Sequence, residues 1–181
     1  MIASAVVRKL ALVGAIGSLM GLAACATPSN PANMTLPATP ALAASPSHPA
    51  YHAVTSVTVT GGKETNPLWT AQVSSQAFKT ALEDSLELAG YTGAQGRPVA
   101  VSATLVNLHQ PLAGFDLSVT SQVRYTVTQE GRSVFDETVS ATGTASMGEA
   151  FMGVERLRIA NEKSIQENIR EFLKRFGRTT R

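Results

Sequence analysis

An alternation of apolar and polar side chains between residues 117 and 129 constrains the fold of this chain more than any other feature. Its apolar positions are Leu117, Val119, Val123, Tyr125 and Val127, with hydroxyl, amide or charged side chains between them. A period of two places successive side chains on opposite faces of a β-strand. The stretch therefore predicts a strand with one buried and one wet face, as in an antiparallel sheet.

The residues that follow predict a partner for this strand. Glu130-Gly131 is typical of a tight turn, and residues 133–145 are expected to return as the second strand of a hairpin. Two further strands are predicted earlier in the chain, at residues 55–60 and 98–110, where valines alternate with small polar residues.

Two helices are predicted from apolar side chains that recur every three or four residues. The first is capped by Ser74 or Ser75, runs to Ala89 and ends at Gly90. Its apolar face comprises Phe78, Ala81, Leu82, Ser85, Leu86 and Ala89. The second covers residues 154–176 and ends at Gly177; its apolar face comprises Leu157, Ala160, Ile165, Ile169, Phe172 and Phe176.

The order of these elements, β-α-β-β-β-α, predicts the fold class α+β. The most economical arrangement is an antiparallel four-stranded sheet with the two helices packed on one face. We expect one domain over residues 51–177, which is long enough to bury a core without disulfides or metals.

The N-terminal residues have the pattern of a secretory signal peptide. Arg8 and Lys9 precede an uncharged run over residues 10–21, and small residues follow it. A permanent membrane-spanning helix is disfavoured, because the run is short and contains several glycines. Residues 1–24 are therefore expected to be a signal peptide.

The sequence Leu22-Ala23-Ala24-Cys25 resembles the lipobox of bacterial lipoproteins. The resemblance implies that the Cys25 thiol is lipidated and that acyl chains hold the mature protein in a membrane. Ala26 follows the cysteine in place of aspartate, which by resemblance to sorting signals implies the outer membrane, on its periplasmic side. A competing interpretation is that Ala24-Cys25-Ala26 is an ordinary secretory cleavage site. Cys25 is the only cysteine, so a disulfide within the chain is excluded.

Residues 25–50 differ in composition from the rest of the chain. Between Ala26 and Ala50 lie six of the nine prolines and no Asp, Glu, Lys or Arg. Such a composition is typical of a disordered segment. We therefore expect a Pro/Ala-rich tether behind the lipidated cysteine, a fold that starts near Tyr51, and a basic C-terminal tail at residues 178–181.

Charge and side-chain chemistry exclude several functional classes. Without Arg8 and Lys9 the chain carries 13 basic and 13 acidic residues, which argues against a nucleic-acid partner. His48, His52 and His109 have no accompanying ligands at metal-binding spacing, and no cofactor motif is present. His109, Asp116 and Ser118 could form a loose triad, but no nucleophile-elbow motif supports catalysis. The sequence thus predicts no catalytic, cofactor or metal site.

Five apolar residues lie in predicted loops, where polar side chains are usual. They are Trp69, Leu112, Phe115, Phe151 and Met152. Apolar side chains beside loop glycines can form a surface for a protein or lipid partner of the cell envelope. The other interpretation, which we place first, is that they close the ends of the hydrophobic core.

Three blocks of the chain carry a resemblance to known proteins. GGKETNPLW…FKTALEDSLELAGY, GFDLSVTSQVRYTV and GEAFMGVERLRIANEKSIQENIREFL resemble a group of uncharacterised proteobacterial envelope lipoproteins. The element order is also similar to small α/β lipoproteins of the YajG and LptE type. The hypothesis for the function of this chain, which rests on the apolar loop residues, is a non-catalytic binding or assembly role, and a passive structural lipoprotein without a dedicated ligand is a further alternative. Some members of the first group bear the name of a UDP-N-acetylglucosamine acyltransferase, so an enzyme acting on an envelope sugar or lipid is the alternative.

Overall fold

The structure is a computed structural model that describes residues 26–66 and 70–179. The signal peptide, Cys25 and Trp69 lie outside the described residues. The elements in chain order are α1 (Pro31–Met34), β1 (Val54–Thr60), α2 (Ser75–Leu88), β2 (Val99–His109), β3 (Leu117–Gln129), β4 (Arg132–Ala145) and α3 (Gly153–Phe176).

The predicted hairpin is confirmed. β3 and β4 pair antiparallel from Leu117↔Ala145 to Gln129↔Arg132. Between them, Glu130 and Gly131 both have positive φ, 51° and 76°. Two successive residues with positive φ form the turn whose twist matches that of the strands, so this dipeptide fixes the register of the hairpin.

The sheet has the order β1-β2-β3-β4, and one of its pairings corrects the prediction of a wholly antiparallel sheet. β1 runs parallel to β2, whereas the β2–β3 and β3–β4 pairs are antiparallel. The reason is the intervening α2, because a helix carries the chain back along the sheet before the next strand begins. The helix count also differs, since α1 is an additional short helix.

α2 and α3 pack on one face of the sheet, as predicted. Ser74 caps α2 by accepting a hydrogen bond from the Ala77 amide, and Gly90 follows the helix with φ of 80°. On α3, Phe172 stacks on Tyr125 with ring centroids 4.1 Å apart. The core lies between these helices and the sheet.

α3 also places polar side chains on its buried face. Asn161, Ser164 and Asn168 are fully buried there. The Asn168 amide donates to the backbone oxygens of Ser121 (3.2 Å) and Val139 (3.0 Å), and its Oδ1 accepts from the Tyr125 hydroxyl at 3.0 Å. These bonds attach α3 to both strands of the hairpin and satisfy polar groups that would otherwise be costly to bury.

The opposite face of the sheet carries short hydroxyl side chains that pair across the strands. Ser118 pairs with Thr144 and Thr120 with Thr142, each with oxygens 2.8 Å apart, and Arg124 forms a bidentate ion pair with Asp136. The predicted division into one core face and one wet face is therefore confirmed for β3.

The structure corrects the prediction of a disordered tether before Tyr51. Residues 26–50 lie along α2 and α3, and Met34, Leu36 and Ala50 join the hydrophobic core. Hydrogen bonds from its backbone amides attach the segment as well. The Leu36 amide donates to Ser85 Oγ at 3.0 Å, and the Ala44 amide donates to the Ala89 backbone oxygen at 2.7 Å. The packed domain thus begins before residue 51.

A buried carboxylate holds the first part of this segment. Glu162 on α3 is 2% exposed, and it accepts hydrogen bonds from the Asn30 amide at 2.7 Å and from Asn33 Nδ2 at 2.9 Å. Arg158, one turn earlier on α3, forms an ion pair with the same carboxylate. Composition could not show this, because the attachment depends on single residues that meet partners more than 120 positions away.

We expect Met34→Ala to destabilise the domain by about 2–5 kcal/mol, since removal of a buried methionine side chain loses its transfer free energy and leaves a cavity. Met34 is fully buried. Met147→Ala is the matched control, because Met147 is 41% exposed and should change stability by less than about 0.5 kcal/mol. Urea denaturation measures both. Equal, small effects of the two substitutions would show that residues 26–50 do not contribute to the core.

We expect stability to fall in alkaline solution because two buried tyrosines resist ionisation. Burial raises the pKa of Tyr91 to about 12 and raises that of Tyr125 well above its usual value. Unfolded tyrosines ionise near pH 10, so the stabilisation is complete below about pH 10 and declines as the pH rises from there towards 12. Denaturation between pH 8 and 12 measures the decline. The loss of stability with rising pH should be shallower for Tyr91→Phe. An unchanged slope would show that Tyr91 does not contribute to the loss.

Among the described residues, no helix has both the length and the apolar composition needed to cross a membrane.

Candidate functional site

Three loops meet at one end of the sheet. β1 and β2 are parallel and both finish at this end, where β4 also finishes and β3 begins. We call the end formed by residues 61–66, 70–74, 110–116 and 146–152 the loop edge. The first turns of α2 and α3 start from the same end.

Side-chain amides join the first two loops to α3. Gln110 Nε2 donates to the Ala71 oxygen and to Asn161 Oδ1, both at 2.9 Å, and Gln110 Oε1 accepts from Gln72 Nε2 at 3.2 Å. Asn161 Nδ2 donates to the Ala71 oxygen at 3.0 Å. These bonds hold the base of the loop edge at a fixed position on the domain.

The guanidinium of Arg156 holds the second loop, 110–116, against the third, 146–152. Arg156, in the first turn of α3, is 7% exposed. Its Nη1 donates to the backbone oxygens of Ala150 (2.9 Å) and Phe151 (2.7 Å), and its Nη2 donates to that of Gly114 (3.4 Å). Loops 110–116 and 146–152 therefore lie against each other at the N-terminal end of α3.

An ion pair between Lys163 on α3 and Glu149 holds loop 146–152 against the helix. Lys163 Nζ lies 2.5 Å from Glu149 Oε1 and donates to the Thr144 oxygen at 3.0 Å. Glu149 also accepts from the Ser146 amide at 3.1 Å. The hydrogen bond from Lys163 is the main reason that the pKa of Glu149 is lowered from its usual value. Both charged groups are at the surface, so the pair contributes positioning more than stability.

The large apolar side chains of loops 110–116 and 146–152 project into solvent. The exposed fractions are 105% for Leu112, 79% for Phe115, 85% for Phe151 and 48% for Met152. These four side chains therefore do not close the ends of the core, which corrects the interpretation that the sequence analysis placed first. The fifth predicted residue, Trp69, lies outside the described residues, and so does Cys25.

The residues of the imagined triad are not brought together as a site. Ser118 on β3 pairs with Thr144, and its neighbour Asp116 is exposed. His109 borders a cleft of about 400 Å³ between the ends of β1 and β2, and Asp116 and Ser118 are not among its walls. The described walls of the cleft contain Lys63, Gln72, Asn107 and Gln110 but no carboxylate. No group of three or more metal-ligating side chains occurs in residues 26–66 and 70–179.

Sequence reasoning missed the residues that build the loop edge. Arg156, Gln110 and Asn161 carry its hydrogen bonds, and Met147 adds a further exposed apolar side chain. The sequence did contain a signal for Arg156 and Asn161, the two residues on α3. Because Ala160, Ile165 and Phe172 define its buried face, helical spacing places positions 156 and 161 on or beside that face.

The chain matches no family model, and no curated protein matches it. Solved structures share its fold. Protein XCC0632 from Xanthomonas campestris, of family DUF330, superposes with a TM-score of 0.55 at 12% identity, over 76% of this chain and 91% of that one. The hypothetical protein CT253 from Chlamydia trachomatis gives 0.51 at 12% identity, over 71% and 97%.

A minor lipoprotein from Acinetobacter baumannii gives a TM-score of 0.44 at 12% identity, over 70% of this chain and 91% of that one. At these identities, the likeness to the Xanthomonas and Chlamydia proteins shows a common fold and no more.

Proposed function

We propose that this chain is an envelope lipoprotein, lipidated at Cys25 and held on the periplasmic side of the outer membrane. Its domain is a non-catalytic binding or assembly module that engages a protein or lipid partner through the loop edge. The lipobox-like sequence before Cys25 supports the anchor. The exposed apolar loop residues support the binding role.

The observation that carries the binding role is the position of Phe151. Its side chain is 85% exposed while its own backbone oxygen is fixed by Arg156 at 2.7 Å. An aromatic side chain presented on a fixed backbone loses little conformational freedom when it binds, which favours association. Leu112 and Phe115 lie on the adjacent loop, so the apolar surface has several members.

The alternative function, an enzyme acting on an envelope sugar or lipid, would have to use the cleft beside His109. We favour the binding role because the described walls of that cleft offer His109 and Lys63 but no carboxylate to orient or assist a histidine base. Among the described residues, neither side chain has a hydrogen-bonding partner of the kind that activates a nucleophile.

The first arm of the test concerns the anchor. We expect the full chain to incorporate a labelled palmitate in a Gram-negative host and the Cys25→Ser variant to incorporate none, since a thiol is the acylated group. Mass spectrometry of the mature N-terminus provides the same answer independently. Labelling of the Cys25→Ser variant would contradict the proposed anchor.

The second arm concerns the binding surface. Replacing Phe151 by the photoreactive residue benzoylphenylalanine should yield crosslinks to an envelope component in living cells. Leu88 is the matched control, because it is 51% exposed and lies at the end of α2 away from the loop edge. Crosslinks at Phe151 but not at Leu88 are expected. The same pattern at both positions would contradict a binding role for the loop edge.

A further inference from the structure

The N-terminal segment runs towards the loop edge, which relates the anchor to the apolar loops. Gln166 Nε2 on α3 donates to the backbone oxygens of Thr35 (3.0 Å) and Asn33 (3.2 Å). Glu162, one turn closer to the start of α3, binds the Asn33 side chain and the Asn30 amide. Followed backwards from residue 35, the segment thus moves along α3 towards the end where the loop edge lies.

Near its start the segment contacts the loop edge itself. Ser29 Oγ donates to the backbone oxygen of Gln72 at 3.0 Å, and Gln72 Nε2 donates to Gln110 Oε1 at 3.2 Å. Leu112 follows Gln110 by two residues. Cys25 precedes Ser29 by four residues, which span at most about 14 Å when fully extended. Acyl chains on Cys25 would therefore hold a bilayer close to this end of the domain.

Close to the apolar loops, two cations are bound within the domain, and the exposed charged side chains of loops 61–66 and 110–116 are Lys63, Glu64 and Asp116. The Arg156 guanidinium is buried and bonded to three backbone oxygens, and Lys163 is paired with Glu149. The most exposed large apolar side chains of loops 110–116 and 146–152 are Leu112, Phe115, Phe151 and Met152. Apolar side chains on a domain that lies against a membrane bind by burial at the boundary between headgroups and acyl chains.

We propose that the loop edge is a membrane-docking surface, whose four apolar side chains enter the same bilayer leaflet that holds the lipid on Cys25. This inference rests on the proposed function and names the partner class of that surface as lipid. The domain then contacts the membrane twice, through the anchor and through the loops, and takes one orientation on it. The sheet is then roughly perpendicular to the membrane plane, and its hydroxyl-bearing face, which no helix covers in the described residues, stays accessible.

Tryptophan fluorescence can test this orientation in the full acylated chain. Trp69 is the only tryptophan, so Trp69→Phe provides a background without tryptophan. In that background, Phe151→Trp and Phe115→Trp report on the loop edge, and Leu88→Trp reports on the opposite end. Each variant is reconstituted into vesicles of phosphatidylethanolamine and phosphatidylglycerol, with or without bromine on the acyl chains near the headgroups. Circular dichroism checks that each variant is folded.

We expect brominated lipid to reduce the fluorescence of the Phe151→Trp and Phe115→Trp variants at least about twofold, since apolar docking places these rings beside the acyl chains. The Leu88→Trp variant should be unchanged. The quenching should persist in high salt, because the proposed contact is apolar. Equal quenching of all three variants, or quenching of none, would overturn the proposal.

Crosslinking separates this inference from the proposed function. If the loop reporters are not quenched but benzoylphenylalanine at position 151 still captures an envelope protein, the occupant is a protein, so the membrane inference fails and the binding role stands. If neither signal appears, both proposals fail. Quenching together with crosslinks to lipid supports both.

Discussion

Replacing Gly143 with valine should unfold the domain. β4 passes so close to α3 that a methyl group on Gly143 would lie 2.2 Å from the Ser164 backbone nitrogen and 2.6 Å from the Ala160 oxygen. These are backbone atoms of a long helix, so a local side-chain movement cannot relieve the overlap. Overpacking of a core usually costs about 1–3 kcal/mol. Here the helix and strand must separate, and we expect a larger loss.

The comparison of two glycines makes this result interpretable. Gly148 lies in the loop after β4, and among the described residues the nearest atom to its potential methyl group is Ser146 Oγ, at 3.7 Å. We expect Gly143→Ala to lower the free energy of unfolding by at least about 3 kcal/mol, against a total of about 5–15 kcal/mol for a typical domain. Gly148→Ala should change it by less than about 0.5 kcal/mol. Indistinguishable urea midpoints for the two alanine variants would show that the contact between β4 and α3 is looser than described.

The second large effect is expected at Asn168. Asn168→Leu keeps a similar volume but removes the amide that binds the Ser121 and Val139 backbone oxygens. It also leaves the buried Tyr125 hydroxyl without the acceptor that lies 3.0 Å away. An unsatisfied buried polar group costs about 1–3 kcal/mol and each lost hydrogen bond about 1 kcal/mol, so we expect a destabilisation of about 3–5 kcal/mol.

A double-mutant cycle isolates the contribution of this pair. Tyr125→Phe removes the orphaned hydroxyl, so it should be destabilising in the natural chain but neutral or stabilising beside Asn168→Leu. Asn107→Leu is the control, because Asn107 is an exposed asparagine on β2 and its substitution should have little effect. Additive effects at positions 125 and 168 would contradict the coupling of the two side chains.

Local periodicity was sufficient for most of the fold. The strand at Leu117–Gln129 was predicted at its observed boundaries, because alternation over 13 residues leaves no other register. The long helices α2 and α3 were predicted to within a residue or two, since their caps and apolar spacing agree, whereas α1 was not predicted. The predicted direction of β1 relative to β2 was wrong. The direction of a strand depends on the connection to its partner, and the prediction did not treat α2 as a crossover between the two strands.

The N-terminal segment shows why composition alone can mislead. Its prolines and lack of charge are typical of disorder, yet Met34 and Leu36 fill space between α2 and α3. The decisive contacts join Asn30 and Asn33 to Glu162, and no local pattern encodes them. For the candidate site, the sequence indicated the unusual apolar residues of the loops. It could not decide between exposure and core packing, because that depends on where Arg156 holds the backbone.

The two-residue turn at Glu130 and Gly131 has a consequence for the order in which the domain assembles. β3, β4 and α3 are consecutive in the chain, so their contacts close short loops, whereas residues 26–50 must meet partners far along the sequence. We therefore expect the hairpin and α3 to form the folding nucleus, with residues 26–50 docking last. An N-terminus retained by export or acylation machinery would then delay only the final step of folding.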